Sequence, residues 1–398
     1  MIDYELNDMN KKILMVAYSY YPSDTRIRKE AETLLKNGFE VDILCLRKEN
    51  EPSDEIFNNV KIFRVNLQKK REGMLTYIYL YTLFFVLVFF KLNYLFLKKK
   101  YTFFHFHNMP NFLVFSAIFG KLFRRKIILD IHDPMPELLN SVIKKFNKII
   151  KRILFIEEKL SVKFADAIIT TNKAFKELFI DRGCPANKIE IVMNSPQTSI
   201  FKENIIFKRN DNKFIILYNG TIVERHGLDL LVDTINELKC KIPGLELKIF
   251  GTGEFWNVVQ NKIDKLGVQD YVKYYGGVII DDLIYHIATC DLGVIPNRFN
   301  EFTNLNFPIR IFEYIHFKKP LIVPKTKGIM DYFSDDSIFY FNPSDHKSLS
   351  SLIFFIYENM NNIKSLIEKA YGVYQKNNWK KQEENLIKIY SKLSRYYI

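Results

Sequence analysis

Short apolar runs of strand length alternate with longer stretches of helical period along almost the whole chain, and the alternation runs through two successive series. A strand, a helix and a further strand are joined most simply by a crossover, so repeated alternation implies parallel sheets with helices on both faces. The first series opens with "KKILMVAYSYYP", then "IRKEAETLLKNG", with Ile27, Ala31, Leu34 and Leu35 at helical spacing and Gly38 as the stop, then "FEVDILCL". Further strand-like runs lie at Val60–Val65, Tyr101–Phe106 and Lys126–Asp130, and in "DAIITTN" and "KIEIVMNSP". Residues 194–212 are polar and irregular, as a linker would be. The second series follows as "KFIILYNG", "LELKIFGTG", "YVKYYGGV", "CDLGVIPN" and "KPLIVPKT", each separated from the next by a helical segment.

A chain of 398 residues exceeds the roughly 250 to 300 residues at which single cores stop growing, so two doubly wound α/β domains are expected. The predicted division is 1–200 and 201–375, with 376–398 as a charged helix whose apolar face packs back toward the first domain. Ligands of open α/β sheets bind beyond the C-terminal ends of the strands, so a cleft between the two sets of strand ends is the expected site.

A hydrophobic share of 48% with 26% charged residues excludes disorder on a large scale. Cys45, Cys184, Cys240 and Cys290 lie far apart with no metal-binding spacing, which suits reduced thiols in a cytoplasmic protein. The first residues, "MIDYELNDMNKK", are acidic where an export signal would be basic.

The positive charge is concentrated. Residues 61–163 hold twenty Lys and Arg against six Asp and Glu, a net +14 that accounts for the whole surplus of the chain, +13. Clusters such as "LKKKY", "LFRRK" and "KKFNKIIKRILF" interleave these charges with Phe, Ile and Leu. Such a face suits an anionic membrane surface, where each basic residue contributes about 1 kcal/mol. No nucleic-acid-binding signature accompanies the charge, and nucleic acid is not expected as a partner. Within the same region Met74–Phe90 is a run of 17 residues without a charge, the short limit for a membrane span. Strand-like runs on both sides of it must share one sheet, so it is expected as a helix on or near the membrane surface rather than across it.

Three motifs carry chemistry. "YNGTIVERHG" is a strand, a glycine turn and a helix start beside Arg225, an arrangement that can hold a diphosphate. "IFGTGEF" is a GxG after a strand without the full dinucleotide fingerprint, which argues against a nicotinamide cofactor. In "NLNFPIRIFEYIHFKKPLIV", Arg310 and Glu313 share a helix face, the arginine placed for an anion and the carboxylate for a sugar diol, or the two for a surface ion pair.

Together with "YPSDTRIRKEAETLLKNGFEVDIL", "HFHNMPNFLVF", "ILDIHDPMPE", "YYGGV" and "ATCDLGVIPN", these motifs stand in an order that resembles glycosyltransferase family 4. The resemblance covers nearly the whole chain and is strongest to members that build bacterial surface polysaccharides, such as lipopolysaccharide or capsule, on lipid-linked acceptors. It implies the GT-B fold, two Rossmann-like domains facing a cleft, with a closing helix that crosses back. It also implies a retaining transfer from a UDP-, GDP- or similar nucleotide sugar, without a metal or other cofactor, at the inner face of the cell membrane.

By the same resemblance, Glu313 binds the ribose hydroxyls, Arg225 and Arg310 neutralise the donor diphosphate, and Asn219, Gly220 and Thr221 form the adjoining turn. Gly251, Gly253 and the backbone near Val278 line the base pocket. His132 faces the donor sugar, and Asp133, Glu137, Asn108, Asp24 and Arg26 lie on the acceptor side. Two departures stand out. Leu305 replaces a second glutamate eight positions before Glu313, leaving Asn304 or Asn306 to contact the sugar, and "SDTR" replaces a glycine pair in the first loop. Two routes are compatible with these residues. Either the donor phosphate takes the acceptor proton while His132 orients the sugar, the route favoured by the resemblance, or His132 acts as a base held by Asp130 or Asp133. A basic adaptor without catalysis and a sugar-nucleotide epimerase are the competing function classes.

Overall fold

The computed structural model describes residues 11–69, 73–143, 147–197, 200–201, 209 and 211–394. Most of the expected linker, and the basic residues Lys70, Arg71, Lys144 and Lys145, lie outside these. The chain forms two compact units: one takes the chain up to Met193 together with the segment from Gln382, and the other runs from Asn194 to Lys381.

The first unit is built on β1 (Lys12–Ala17), β2 (Glu40–Leu46), β3 (Asp54–Phe57), β4 (Val60–Val65), β5 (Phe103–His107), β6 (Lys126–Ile131), β7 (Ala167–Thr170) and β8 (Ile189–Ile191). They form one sheet in the order β3-β4-β2-β1-β5-β6-β7-β8. All neighbours are parallel except β3 and β4. Helices cover both faces, so Ile13 to Val16, Ile43, Leu44 and Ile127 to Leu129 are all buried, the continuous apolar pattern of central parallel strands. The antiparallel edge was not expected. Its signal is "FNNV": Asn58 and Asn59 take φ of 47° and 64°, the left-handed pair that closes a two-residue hairpin.

The helix Gly73–Lys99 joins β4 to β5, two strands of this one sheet. By length and composition it could cross a membrane. Here Leu80, Phe84, Val88, Leu92 and Phe96, four residues apart, form a buried stripe. Phe84 meets Tyr18 and Phe96 meets Phe104, both edge-on. The opposite side stays apolar and exposed, at Leu75, Ile78, Tyr79, Phe90, Tyr94 and Leu97. The last helix, Trp379–Ser394, belongs to the first unit from Gln382 onward. Its Tyr390 is fully buried against Phe39 and Phe103, with the hydroxyl 2.9 Å from His105 Nδ1.

The second unit contains β9 (Phe214–Asn219), β10 (Leu245–Phe250), β11 (Val272–Gly276), β12 (Leu292–Val294), β13 (Leu321–Pro324) and β14 (Phe339–Phe341). The sheet is parallel throughout, in the order β11-β10-β9-β12-β13-β14. Strand order reverses between β9 and β12, which makes the ends of these two strands the place where a doubly wound sheet opens for a ligand. In the first unit the corresponding reversal lies between β1 and β5.

Candidate active site

In the first unit, β6 ends at Ile131, His132 and Asp133 form the turn, and Pro134 precedes the helix Met135–Val142. Asn108 clasps the turn, accepting from His132 N at 2.9 Å and donating to the Asp133 carbonyl at 2.8 Å. Behind it Asp130 is fully buried and accepts from Arg26 Nη2 at 2.8 Å and Nε at 3.1 Å. His132 Nε2 lies 3.0 Å from the same carboxylate, and His107 Nδ1 lies 3.5 Å from it. Burial pushes the Asp130 carboxyl up, but Arg26 and then His132 more than offset this and hold it well below the usual carboxylate range. An ionised Asp130 can only accept, so His132 presents Nε2–H to it. Nδ1 is then the ring atom of His132 left for a substrate.

His132, His107, Asp24, Ser19 and Tyr18 border a pocket of about 240 Å³ at the ends of β1, β5 and β6. Asp24 caps the helix Thr25–Lys36 through the amides of Arg26 and Ile27 and accepts from Ser19 Oγ at 2.7 Å. Two residues expected on the acceptor side are held elsewhere. Arg26 is buried between Asp130 and Glu30, 3.1 Å from the latter, and donates to the Val192 carbonyl. Glu137 is buried in an ion pair with Arg182, which also binds Glu158. A buried charge needs its partner, so both side chains serve the interior of the unit. His107, which carries no motif signal of its own, enters the site from the end of β5.

Glu30, His105, His107 and Asp130 present ligand-type atoms within 4.8 Å of one another, all buried. The Arg26 guanidinium already contacts both carboxylates of this group, the place a cation would take. Burial, against the pull of Arg26 and reinforced by Asp130, raises the Glu30 carboxyl well above its ordinary range. Burial lowers His105 and His107, which leaves both rings neutral.

In the second unit the turn after β9 is the counterpart. Asn219 donates from Nδ2 to Glu313 Oε2 at 2.8 Å, and its carbonyl accepts from Arg310 Nη1. Arg310 is buried, 5.3 Å above the Tyr218 ring, with Nη2 3.5 Å from Asn297 Oδ1. Among the described residues no carboxylate forms an ion pair with Arg310. The surface pairing with Glu313 left open by helical spacing is absent, because both side chains turn to Asn219 instead. Arg225, half-buried in the turn Glu224–His226, acts on the same place: burial first, then Arg310 and Arg225, pull His226 down to about 3. His226 stays neutral and engages the Thr221 carbonyl, 2.7 Å from its Nδ1.

Glycine is required in these loops. Gly251 has φ +134°, and a Cβ there would lie 1.9 Å from the Gly220 carbonyl. Gly220 has φ +137° with Arg310 against it, and a Cβ on Gly253 would meet the Ile222 carbonyl at 2.0 Å. Thr221 and Val278 are exposed on loops at this edge. Asn304 Oδ1 accepts from Lys327 N at 3.1 Å, and Asn306 caps the end of the helix Glu301–Leu305.

The chain thus has two doubly wound units, one with a histidine pocket and one with Arg225, Arg310 and Glu313 gathered at the end of β9. The family model "Glycosyltransferase Family 4" matches residues 24–195 and "Glycosyl transferases group 1" matches residues 200–373. The chain belongs to the group 1 glycosyltransferases and has their GT-B fold. It is 24% identical over 336 residues to an uncharacterized glycosyltransferase of Methanocaldococcus jannaschii, covering 80% of this chain and 82% of that one. Over 84 residues, 21% of this chain and 22% of the other, it is 29% identical to a GDP-mannose-dependent alpha-(1-6)-phosphatidylinositol monomannoside mannosyltransferase of Mycolicibacterium smegmatis. In fold it is similar to sucrose-phosphate synthase of Thermosynechococcus elongatus, with TM-score 0.75, 16% identity, and coverage of 96% and 99%. Anabaena HepE, solved in complex with UDP-glucose, superposes with TM-score 0.69, 16% identity, and coverage of 96% and 99%.

Proposed function

We propose that the protein is a retaining glycosyltransferase that moves a hexose from a nucleotide sugar to a lipid-linked saccharide in cell-surface polysaccharide synthesis, working at the inner face of the cytoplasmic membrane. The observation that carries the donor half is Arg310, a buried guanidinium that binds a backbone carbonyl and, among the described residues, no carboxylate, with Glu313 set beside it through Asn219. A departing diphosphate supplies the charge such a group lacks, and Arg225 adds a second cation. Glu313 takes the ribose hydroxyls. HepE, similar in fold, was solved with UDP-glucose, which supports a nucleotide-sugar donor.

On the acceptor side His132, with Nε2–H on Asp130, offers Nδ1 to a sugar hydroxyl. In this reading it orients the donor sugar and stabilises positive character at the anomeric carbon, and the departing phosphate oxygen takes the acceptor proton. The two arginines carry the leaving-group charge without a metal. The partial likeness to a phosphatidylinositol monomannoside mannosyltransferase supports a lipid-borne acceptor. The exposed Leu75, Tyr79, Phe90 and Leu97 beside the basic clusters support a membrane surface.

The test is a thermal-shift screen of UDP- and GDP-sugars, followed by transfer to isolated lipid-linked acceptor, with the anomeric configuration of the product read by NMR. Stabilisation by one donor class and a product of the donor's own configuration are expected. An inverted product returns His132 to the role of base, and donor conversion without acceptor points to an epimerase.

A further inference from the structure

Far from His132, at the N-terminal ends of β6, β7 and β8, the first unit has a cavity of about 770 Å³. Lys121, Lys126, Lys163, Lys176 and Lys188 line it, and Lys388 and Lys392 reach it from the last helix. Against these seven ammonium groups stand two carboxylates, Asp166 and Glu190. Asp166 pairs with Lys121 at 2.8 Å and also accepts from Ile127 N, while Glu190 lies 3.7 Å and 3.9 Å from Lys176 and Lys392. The lysines come from separate parts of the chain, so folding, not one charged helix face, gathers them. Burial first, and then Lys121, pull the Lys188 ammonium below its ordinary value, and that ammonium donates to the Val162 and Lys163 carbonyls. A cavity walled by one sign of charge concentrates counter-ions.

A second depression of about 400 Å³ adjoins the first, sharing Lys121 and Lys163 with it, and is otherwise lined by Phe115, Leu160 and Phe164. Leu160 is 52% exposed at its rim, on a helix that also exposes Ile153 and Ile156. A free phosphate has no use for an apolar groove, and a polynucleotide needs aromatic faces open for stacking, whereas Phe115 and Phe164 pack edge-on against each other. A charged head joined to a hydrocarbon tail fits both depressions at once.

We propose that this pair of depressions is a membrane-lipid site, in which the lysines hold the phosphate of an anionic phospholipid and the Phe115–Leu160–Phe164 groove takes its acyl chain. This deepens the membrane-surface part of the function proposed above and does not depend on the transfer chemistry.

The experiment titrates the full chain with monomeric short-chain phosphatidylglycerol, short-chain phosphatidylcholine, inorganic phosphate and an oligoribonucleotide, reading affinity by calorimetry. Phosphatidylglycerol should bind most tightly. Lys163→Glu with Lys388→Glu should weaken it at least tenfold, and Leu160→Asp should weaken it while leaving inorganic phosphate unchanged. Inorganic phosphate binding as tightly as the lipid, an unaffected Lys163/Lys388 variant, or preference for the oligoribonucleotide would each overturn the proposal. Thermal shifts with nucleotide sugars on the same variants report the fold and test the transferase reading separately.

Discussion

Asn219 donates its side-chain amide to Glu313 across 2.8 Å, joining the end of β9 to a helix 94 residues later in the chain. Because Arg310 holds the carbonyl of the same asparagine, one residue sets the positions of both the carboxylate and the guanidinium. Glu313→Ala should therefore lower kcat/KM about 10- to 100-fold, the worth of hydrogen bonds to a charged group, with little change in Tm. Asn219→Asp sets two carboxylates against each other and should cost more activity than Asn219→Ala. Steady-state kinetics on both variants checks the order; near-normal turnover of Glu313→Ala removes it from the donor site.

Arg225 and Arg310 should separate by stability. Arg225 is half-buried in a turn, so Arg225→Ala should lose most transfer while the melting temperature holds. Arg310→Ala also strips the Asn219 carbonyl of a buried donor and should unfold about 1–3 kcal/mol more easily. Denaturant titration of the two variants decides, and equal stabilities would contradict the structural part of this assignment.

His132→Ala should depress transfer while nucleotide-sugar binding, which the proposed function assigns to the other unit, stays within twofold of wild type. Unchanged rates would leave His132 a residue of the turn alone. Asp130→Asn removes the charge opposite Arg26 and should destabilise the first unit by about 3 kcal/mol, visible in thermal unfolding.

Glu157 predicts a pH effect. Burial pushes its carboxyl up to about 7, although Asn111 donates to it at 3.1 Å. The folded chain then keeps a proton that the unfolded chain releases near pH 4.5, so this contribution is full below that pH, falls as pH rises to about 7 and is flat above. Glu157→Gln should remove the slope and gain roughly 1–2 kcal/mol over wild type between pH 5 and 7.5. Calorimetry at the two pH values checks it, and a gain that does not grow with pH would refute the assignment.

Binding to vesicles should require anionic lipid and weaken as salt rises, since it rests on the basic residues of the first unit. Co-sedimentation with neutral and anionic vesicles measures this. Equal binding to both would leave only the exposed apolar face of Gly73–Lys99 to account for it.

Local patterns are legible in the amino-acid sequence. Strand runs, the Glu40–Leu46 and Val60–Val65 limits and the order of family motifs follow from periods of two or 3.6 residues and from turn chemistry, which act over a few positions. The hairpin at Asn58–Asn59 has an equally local signal, the asparagine pair, whereas β14, a three-residue strand in "SIFYF", is too short to show a period.

What the sequence alone determined is the alternation, and with it the doubly wound sheets, the required glycines and the set of charged residues near the strand ends. What only the tertiary structure decided is which of those charges a substrate can reach. Arg26 and Glu137 carry the same chemistry as Arg225 and Glu313, yet the first pair is folded inward onto Asp130 and Arg182. The pairing of Arg26 with Asp130 spans 104 residues, and the lysine cavity draws on positions 121 to 392. No periodic rule reaches that far: burial makes an unpaired charge costly, so the packed core, not the neighbouring sequence, selects which charges are neutralised and which remain for a ligand.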